Sequence, residues 1–201
     1  EAISHFPGGP GNYESKVQKM TRFLAERMQV ESRPIPAVTR VVYEEILQAN
    51  QDKFDHLYQL CKDSGEPVEG NCFTQHLNVD NVLPSLVYKQ MNHFSLGRVS
   101  NRIMEIGFNA GHSSLLYLLS NPSATLTVFD LCEHAYTRPC FEYLASEFPG
   151  RITLHAGDST QTVPTFHQRH PDVRFDLVHI DGAHFGDIPD KDFRHSLPMA
   201  A

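Results

Sequence analysis

The stretch RIMEIGFNAGHS (residues 102–113) decides how the rest of the chain is read. Its first half, Arg102 to Phe108, is an apolar run suited to a strand buried on both faces, with Glu105 as its one acid. Gly107 and Gly111 then bracket a tight strand-to-helix turn, where backbone can approach a ligand closely. A helix opening at Gly111 points free N–H groups and a positive dipole end at that ligand, which suits a carboxylate or phosphate. The dinucleotide fingerprint GxGxxG is absent, because Asn109 stands at its second glycine and His112 at its third.

Downstream the same grammar repeats. TLTVFDL (125–131), ITLHAGD (152–158) and FDLVHIDG (175–182) read as three further strands. Helical segments follow each strand, over about Gly111–Ser120, Tyr136–Phe148 and Thr160–Gln168, with a last one from Asp190. Apolar strands joined by helical crossovers predict an α/β fold: a Rossmann-like, doubly wound, mostly parallel sheet covered on both faces. Ligands bind such sheets beyond the carboxyl ends of the strands. The chemically distinctive residues fall at those four ends: Gly107–Gly111, Asp130, Gly157–Asp158 and Asp181–His184.

Upstream the chain reads differently. Residues 1–12 hold three glycines and two prolines and read as a flexible arm. Residues 13–98 read as a helical region, and 99–201 as the sheet domain. Val17, Met20, Leu24 and Met28 give an apolar stripe on a helix over Tyr13–Val30. A second helical stretch runs from Val38 to Cys61 and stops at Ser64–Gly65. A third runs over Val82–Phe94, with Pro84 in its first turn and Gly97 as its stop.

The 201 residues carry 17 Lys+Arg against 24 Asp+Glu, a net charge of −7. That balance argues against a phosphate-gripping nucleic-acid surface and against a polybasic membrane anchor. No apolar run approaches the ~18–20 residues of a membrane span. Cys61, Cys72, Cys132 and Cys140 are dispersed without a CxxC, which reads as free thiols in a reducing, cytoplasmic setting.

The run EIGFNAGHS (105–113), with Leu115 and Leu116 following, resembles the first motif of class I S-adenosylmethionine-dependent methyltransferases, in the E-I-G-x-x-x-G-x-S form of small-molecule O-methyltransferases. Gly157-Asp158 is similar to the adenine-side motif of that family, and DLVHIDGAH (176–184) to its fourth-strand motif in a D-G-x-H version. Asp192 falls where that subgroup has an acid on the next helix. The resemblance spans roughly residues 100–200.

It implies S-adenosylmethionine as cofactor and a small-molecule acceptor, read as a hydroxyl. Glu105, Gly107, Phe108, Asn109, Gly111 and Ser113 would surround the methionine end. Asp130 with Leu131 would hold the ribose, and Gly157, Asp158 and Ser159 the adenine. Asp181 would lie at the sulfonium and acceptor. In metal-dependent members an aspartate there binds a divalent cation and a lysine stands three residues on; here His184 takes the lysine position, so the base and the metal stay open. His184 titrates in the range a general base needs. Asp181 and His184 are therefore the expected catalytic pair.

Residue by residue, plainer readings stand beside these. Asp130 caps a turn, and Asp158 caps a helix. His179 is a buried neutral histidine; with Asp181 and His184 it does not form a recognised metal spacing. Tyr13, Tyr88, Met91, His93 and Phe94 are candidate acceptor contacts that also suit a core. A non-catalytic binding protein on the same fold, and a nicotinamide oxidoreductase, are the rival functions.

The family sheet has seven strands and this sequence supplies four, ending at LPMAA (197–201). The domain is therefore expected to be incomplete, with strand four presenting an unpaired edge to a second copy or a complementing C-terminal segment.

Overall fold

The computed structural model describes residues 35–75 and 78–201. The expected arm and the Tyr13–Val30 helix lie outside the described residues.

Helix α1 (Arg40–Ala49) opens on Thr39, whose hydroxyl accepts from the Val42 N–H. It ends at Asn50, and α2 (Gln51–Ser64) follows at once. The single stretch expected from Val38 to Cys61 is thus two helices. Phe54, Leu57 and Cys61, spaced i, i+3 and i+7, form the buried stripe of α2. Gly65 closes that helix in the left-handed conformation, φ 71°, as expected.

An antiparallel ribbon of β1 (Thr74–Gln75) and β2 (Asn78–Val82) follows. Its sequence is polar and short, without a strand signature. A 3-10 turn at Pro84–Leu86 then leads into α3 (Val87–Arg98). Gly97 does not stop α3 but lies inside it. A β-carbon there would collide with Ser120 Oγ and stand 3.0 Å from the Tyr117 ring. The glycine serves a close crossing of two helices, which local stop signals cannot distinguish from a helix end.

The sheet comprises β3 (Arg102–Ile106), β4 (Thr125–Asp130), β5 (Ile152–Ala156) and β6 (Leu177–Ile180), all parallel, in the order β5-β4-β3-β6. The crossovers are α4 (His112–Ser120), α5 (Thr137–Glu147) and α6 (Ser159–Arg169), and α7 (Ile188–Ser196) follows β6. Successive side chains alternate between the two faces. Ile103, Leu126 and Val128 join one core with α4, α5 and the N-terminal helices. Met104, Ile106 and Phe129 join the other, with Val163, Phe175 and Met199.

Central β3 is buried from Ile103 to Ile106, whereas all four residues of β6 are half-buried. At the start of β6, Phe175 bridges in parallel to Ala200: its N–H donates to Met199 O (2.8 Å), and Ala201 N–H donates to Phe175 O (3.0 Å). Among the described residues no strand pairs with the outer edge of β6.

Candidate active site

Parallel strands end on one side of a sheet, so all four strand ends named by the sequence converge there. The ladders run one residue past the strands: Gly107 N–H donates to Phe129 O, Gly157 N–H to Asp130 O, and Asp181 N–H to Ile106 O, each at 2.8 Å.

The first turn is set by sterics. Gly107 has φ 93°, and a β-carbon there would collide with Asp181 O and lie 2.8 Å from Gly182 N. The glycine thus lets the ends of β3 and β6 meet. Gly111 is left-handed, φ 78°, and caps α4 under the Phe108 ring. Phe108 itself is buried against Phe141, ring centroids 6.0 Å apart, so only its backbone faces the crevice side of the turn.

Glu105 is completely buried beneath this turn. Its carboxylate accepts from Ser113 Oγ (2.5 Å), from Ser114 Oγ and, at 3.0 Å, pairs with His179 Nδ1 on β6. Burial lowers the basicity of His179, but the hydrogen bond and charge of Glu105 outweigh it, and its pKa is raised above the ordinary value. The partner of His179 lies 74 positions away in sequence, beyond the reach of a local reading. His93 packs on His179 with centroids 4.7 Å apart and shares a 2.8 Å hydrogen bond with Tyr117 Oη. Burial and the neighbouring His179 charge depress His93 to about 4.

Asp181 is the meeting point on the β6 side. Lys89 Nζ lies 3.3 Å from Oδ2, His179 Nε2 3.9 Å from Oδ2, and His184 Nε2 3.7 Å from Oδ1. The structure thus brings together Asp181 and His184, and adds Lys89 from α3. No sequence signal marks Lys89, because a lysine on an amphipathic helix reads as a solvated residue. The His184 side chain is 74% exposed.

Asp130 Oδ2 accepts from Asn109 N–H (2.8 Å) and Oδ1 from Cys132 N–H (2.7 Å), tying two left-handed residues to the end of β4. Asp158 caps α6 through Thr160 N–H at 2.8 Å. Both plainer readings are realised, and the second lone pairs of these oxygens stay available. Leu131 is exposed, Ser159 half-buried and Asp192 fully buried. Burial raises the Asp192 pKa, partly offset by a hydrogen bond from Ser159. Among the acceptor candidates, Phe94 and His93 are core, Met91 is half-buried and Tyr88 is exposed; Tyr13 lies outside the described residues. No group of three or more His, Cys, Asp or Glu among the described residues is placed to share a metal ion.

Residues 104–201 match the sequence model of a methyltransferase domain. This part of the chain is similar to a methyltransferase domain. Three solved structures carry the same fold. The O-methyltransferase TomG from Streptomyces achromogenes, in complex with S-adenosylmethionine, is 19% identical with a TM-score of 0.56. That match covers 92% of this chain and 67% of TomG. An O-methyltransferase from Bacillus cereus, in complex with S-adenosylhomocysteine, is 13% identical with a TM-score of 0.56, covering 91% of this chain and 68% of that one. A protein of Klebsiella pneumoniae described as an O-methyltransferase is 18% identical with a TM-score of 0.55, covering 80% of this chain and 67% of that one. A search of curated proteins finds no match. Among the described residues no helix is long and apolar enough to cross a membrane.

Proposed function

We propose that this methyltransferase transfers a methyl group to the hydroxyl of a small molecule, at the crevice where the turn after β3 faces Asp181. The observation that carries the proposal is the cluster of Lys89, His179 and His184 around one half-exposed aspartate beside the glycine turn. The donor set fits the cofactor. The Gly107–Gly111 turn opens α4 with free N–H groups suited to its carboxylate, Asp130 offers lone pairs to ribose hydroxyls, and Asp158 with Ser159 stands at the end of β5 for the adenine. When bound, the cofactor supplies an electrophilic methyl group on sulfur.

The residues of the chain do the rest. Asp181 orients the acceptor, with Lys89 and His179 compensating its charge on one side. His184, exposed and 3.7 Å from Asp181 Oδ1, takes the hydroxyl proton as the bond to carbon forms. Positioning supplies most of the acceleration in such an in-line displacement.

A cytoplasmic setting belongs to the same proposal, since Cys61, Cys72, Cys132 and Cys140 are all free. So does a strand added at the outer edge of β6 by a second copy or a complementing segment, since no strand of the described residues covers that edge. Transfer of labelled methyl from S-adenosylmethionine to a panel of phenols and sugars tests the function. Turnover by the parent that falls at least a hundredfold in Asp181→Ala is expected; equal turnover by both proteins would overturn the assignment.

A further inference from the structure

A cavity of about 550 Å³ lies between the N-terminal helices and the start of α4, apart from the Asp181 cluster. That volume is in the range of small-molecule sites, ~300–1,000 Å³. Leu47 of α1, Phe54 of α2, Val87 of α3 and Phe73, which precedes β1, supply apolar walls. The Phe54 and Phe73 rings lie 5.0 Å apart, and Phe73 continues to the His112 imidazole at 5.7 Å, so one side is a run of flat rings.

The polar members of the wall are neutral. Thr74 Oγ1 and His112 Nδ1 are buried, and among the described residues neither has a hydrogen-bond partner, an unusual state for buried polar atoms. Burial depresses His112 to about 4, so its ring offers one donor and one acceptor at neutral pH without charge. Gln90 is already engaged by Tyr43 Oη and Cys72 O. Two further members of the wall are charged: Arg40, which pairs with Glu44 at 2.7 Å, and Asp55, which accepts from Gln51 Nε2 of the same wall at 2.8 Å. A ligand bearing phosphate or carboxylate would find no free cation among these groups.

We infer that this cavity binds a neutral aromatic molecule carrying a hydroxyl, its ring against Phe73 and Phe54 and its polar group at Thr74 and His112. Two of its members adjoin the crevice in sequence: Gln90 follows Lys89, which pairs with Asp181, and His112 follows Gly111. The cavity and its preference stand apart from the methyl-transfer reading, whose acceptor hydroxyl lies at Asp181 and His184.

Calorimetry of the full chain with 2-naphthol, with 2-naphthoate and separately with S-adenosylhomocysteine tests this. The expected result is saturable 2-naphthol binding at least tenfold tighter than 2-naphthoate. Leu47→Trp, which fills the cavity, should weaken 2-naphthol at least tenfold and leave S-adenosylhomocysteine binding unchanged. Thr74→Val, which keeps the volume, should weaken 2-naphthol about threefold or more. S-adenosylhomocysteine binding with no 2-naphthol binding, or with equal 2-naphthol binding by parent, Leu47→Trp and Thr74→Val, would overturn the cavity site and leave the methyl-transfer reading standing. Equal affinity for 2-naphthoate would overturn the neutral class. Binding of 2-naphthol with no binding of S-adenosylhomocysteine would overturn the methyl-transfer reading and leave the cavity site standing.

Discussion

The turn after β3 and the turn after β6 meet at Gly107 and Asp181, yet they are held by different means. The first is fixed by backbone and burial. Phe108, Ala110, Gly111 and His112 are buried, Asn109 N–H is held by Asp130, and Glu105 beneath is saturated by Ser113, Ser114 and His179. The second is half-buried or exposed from Asp181 to Ile188, and its aspartate is surrounded by longer contacts of 3.3–3.9 Å. A rigid cradle suits a cofactor that is the same in every cycle. Loosely engaged, exposed groups suit proton handling and an acceptor that enters and leaves.

This contrast predicts that substitutions on the β3 side cost stability and those on the β6 side cost rate. Glu105→Ala is the largest test. It strands His179 and two serines in a buried setting, so chemical denaturation should show a loss of roughly 3–5 kcal/mol. A loss below about 1 kcal/mol would break the contrast. Asp181→Ala should instead lower turnover by about 10²–10⁴-fold while unfolding stability changes by about 1 kcal/mol or less.

Acid gives a third test. His93 and His112 are held near 4 by burial, below the 6.5 of an exposed histidine, so the unfolded chain binds more protons between these values. Their contribution is fully present above pH 6.5 and is lost as pH falls towards 4, by roughly 3 kcal/mol each. His179, with its raised pKa, acts in the opposite sense: its contribution is present below pH 6.5 and is lost as pH rises through its folded value. Denaturant midpoints between pH 7 and pH 4.5 should therefore fall less steeply in His112→Asn, and the fall at high pH should vanish in His179→Phe.

Smaller again, Lys89→Met should cost about tenfold in turnover with a change in stability of about 0.5 kcal/mol, since its pairing with Asp181 is largely exposed. Asp158→Ala should cost about 1 kcal/mol as a lost helix cap.

The sheet domain was legible because its information is local. Apolar runs gave β3 to β6, glycines gave the turn, and acids at strand ends gave Asp130, Asp158 and Asp181. What escaped depends on tertiary contact. Lys89 reaches Asp181 across 92 positions, and His179 is held by Glu105 on the neighbouring strand. Gly97 looked like a helix stop because close helix packing leaves the same residue type. The β1–β2 ribbon is held by pairing rather than by strand-forming residues. The site was thus readable where strands end in it, and unreadable where a helix reaches across to it.

The central claim is that the turn after β3 holds S-adenosylmethionine. Calorimetric titration of the full chain with S-adenosylhomocysteine tests it most directly. A saturable heat with micromolar affinity is predicted, weakened at least tenfold by Asp130→Ala; no heat, or equal affinity in the two proteins, would contradict it.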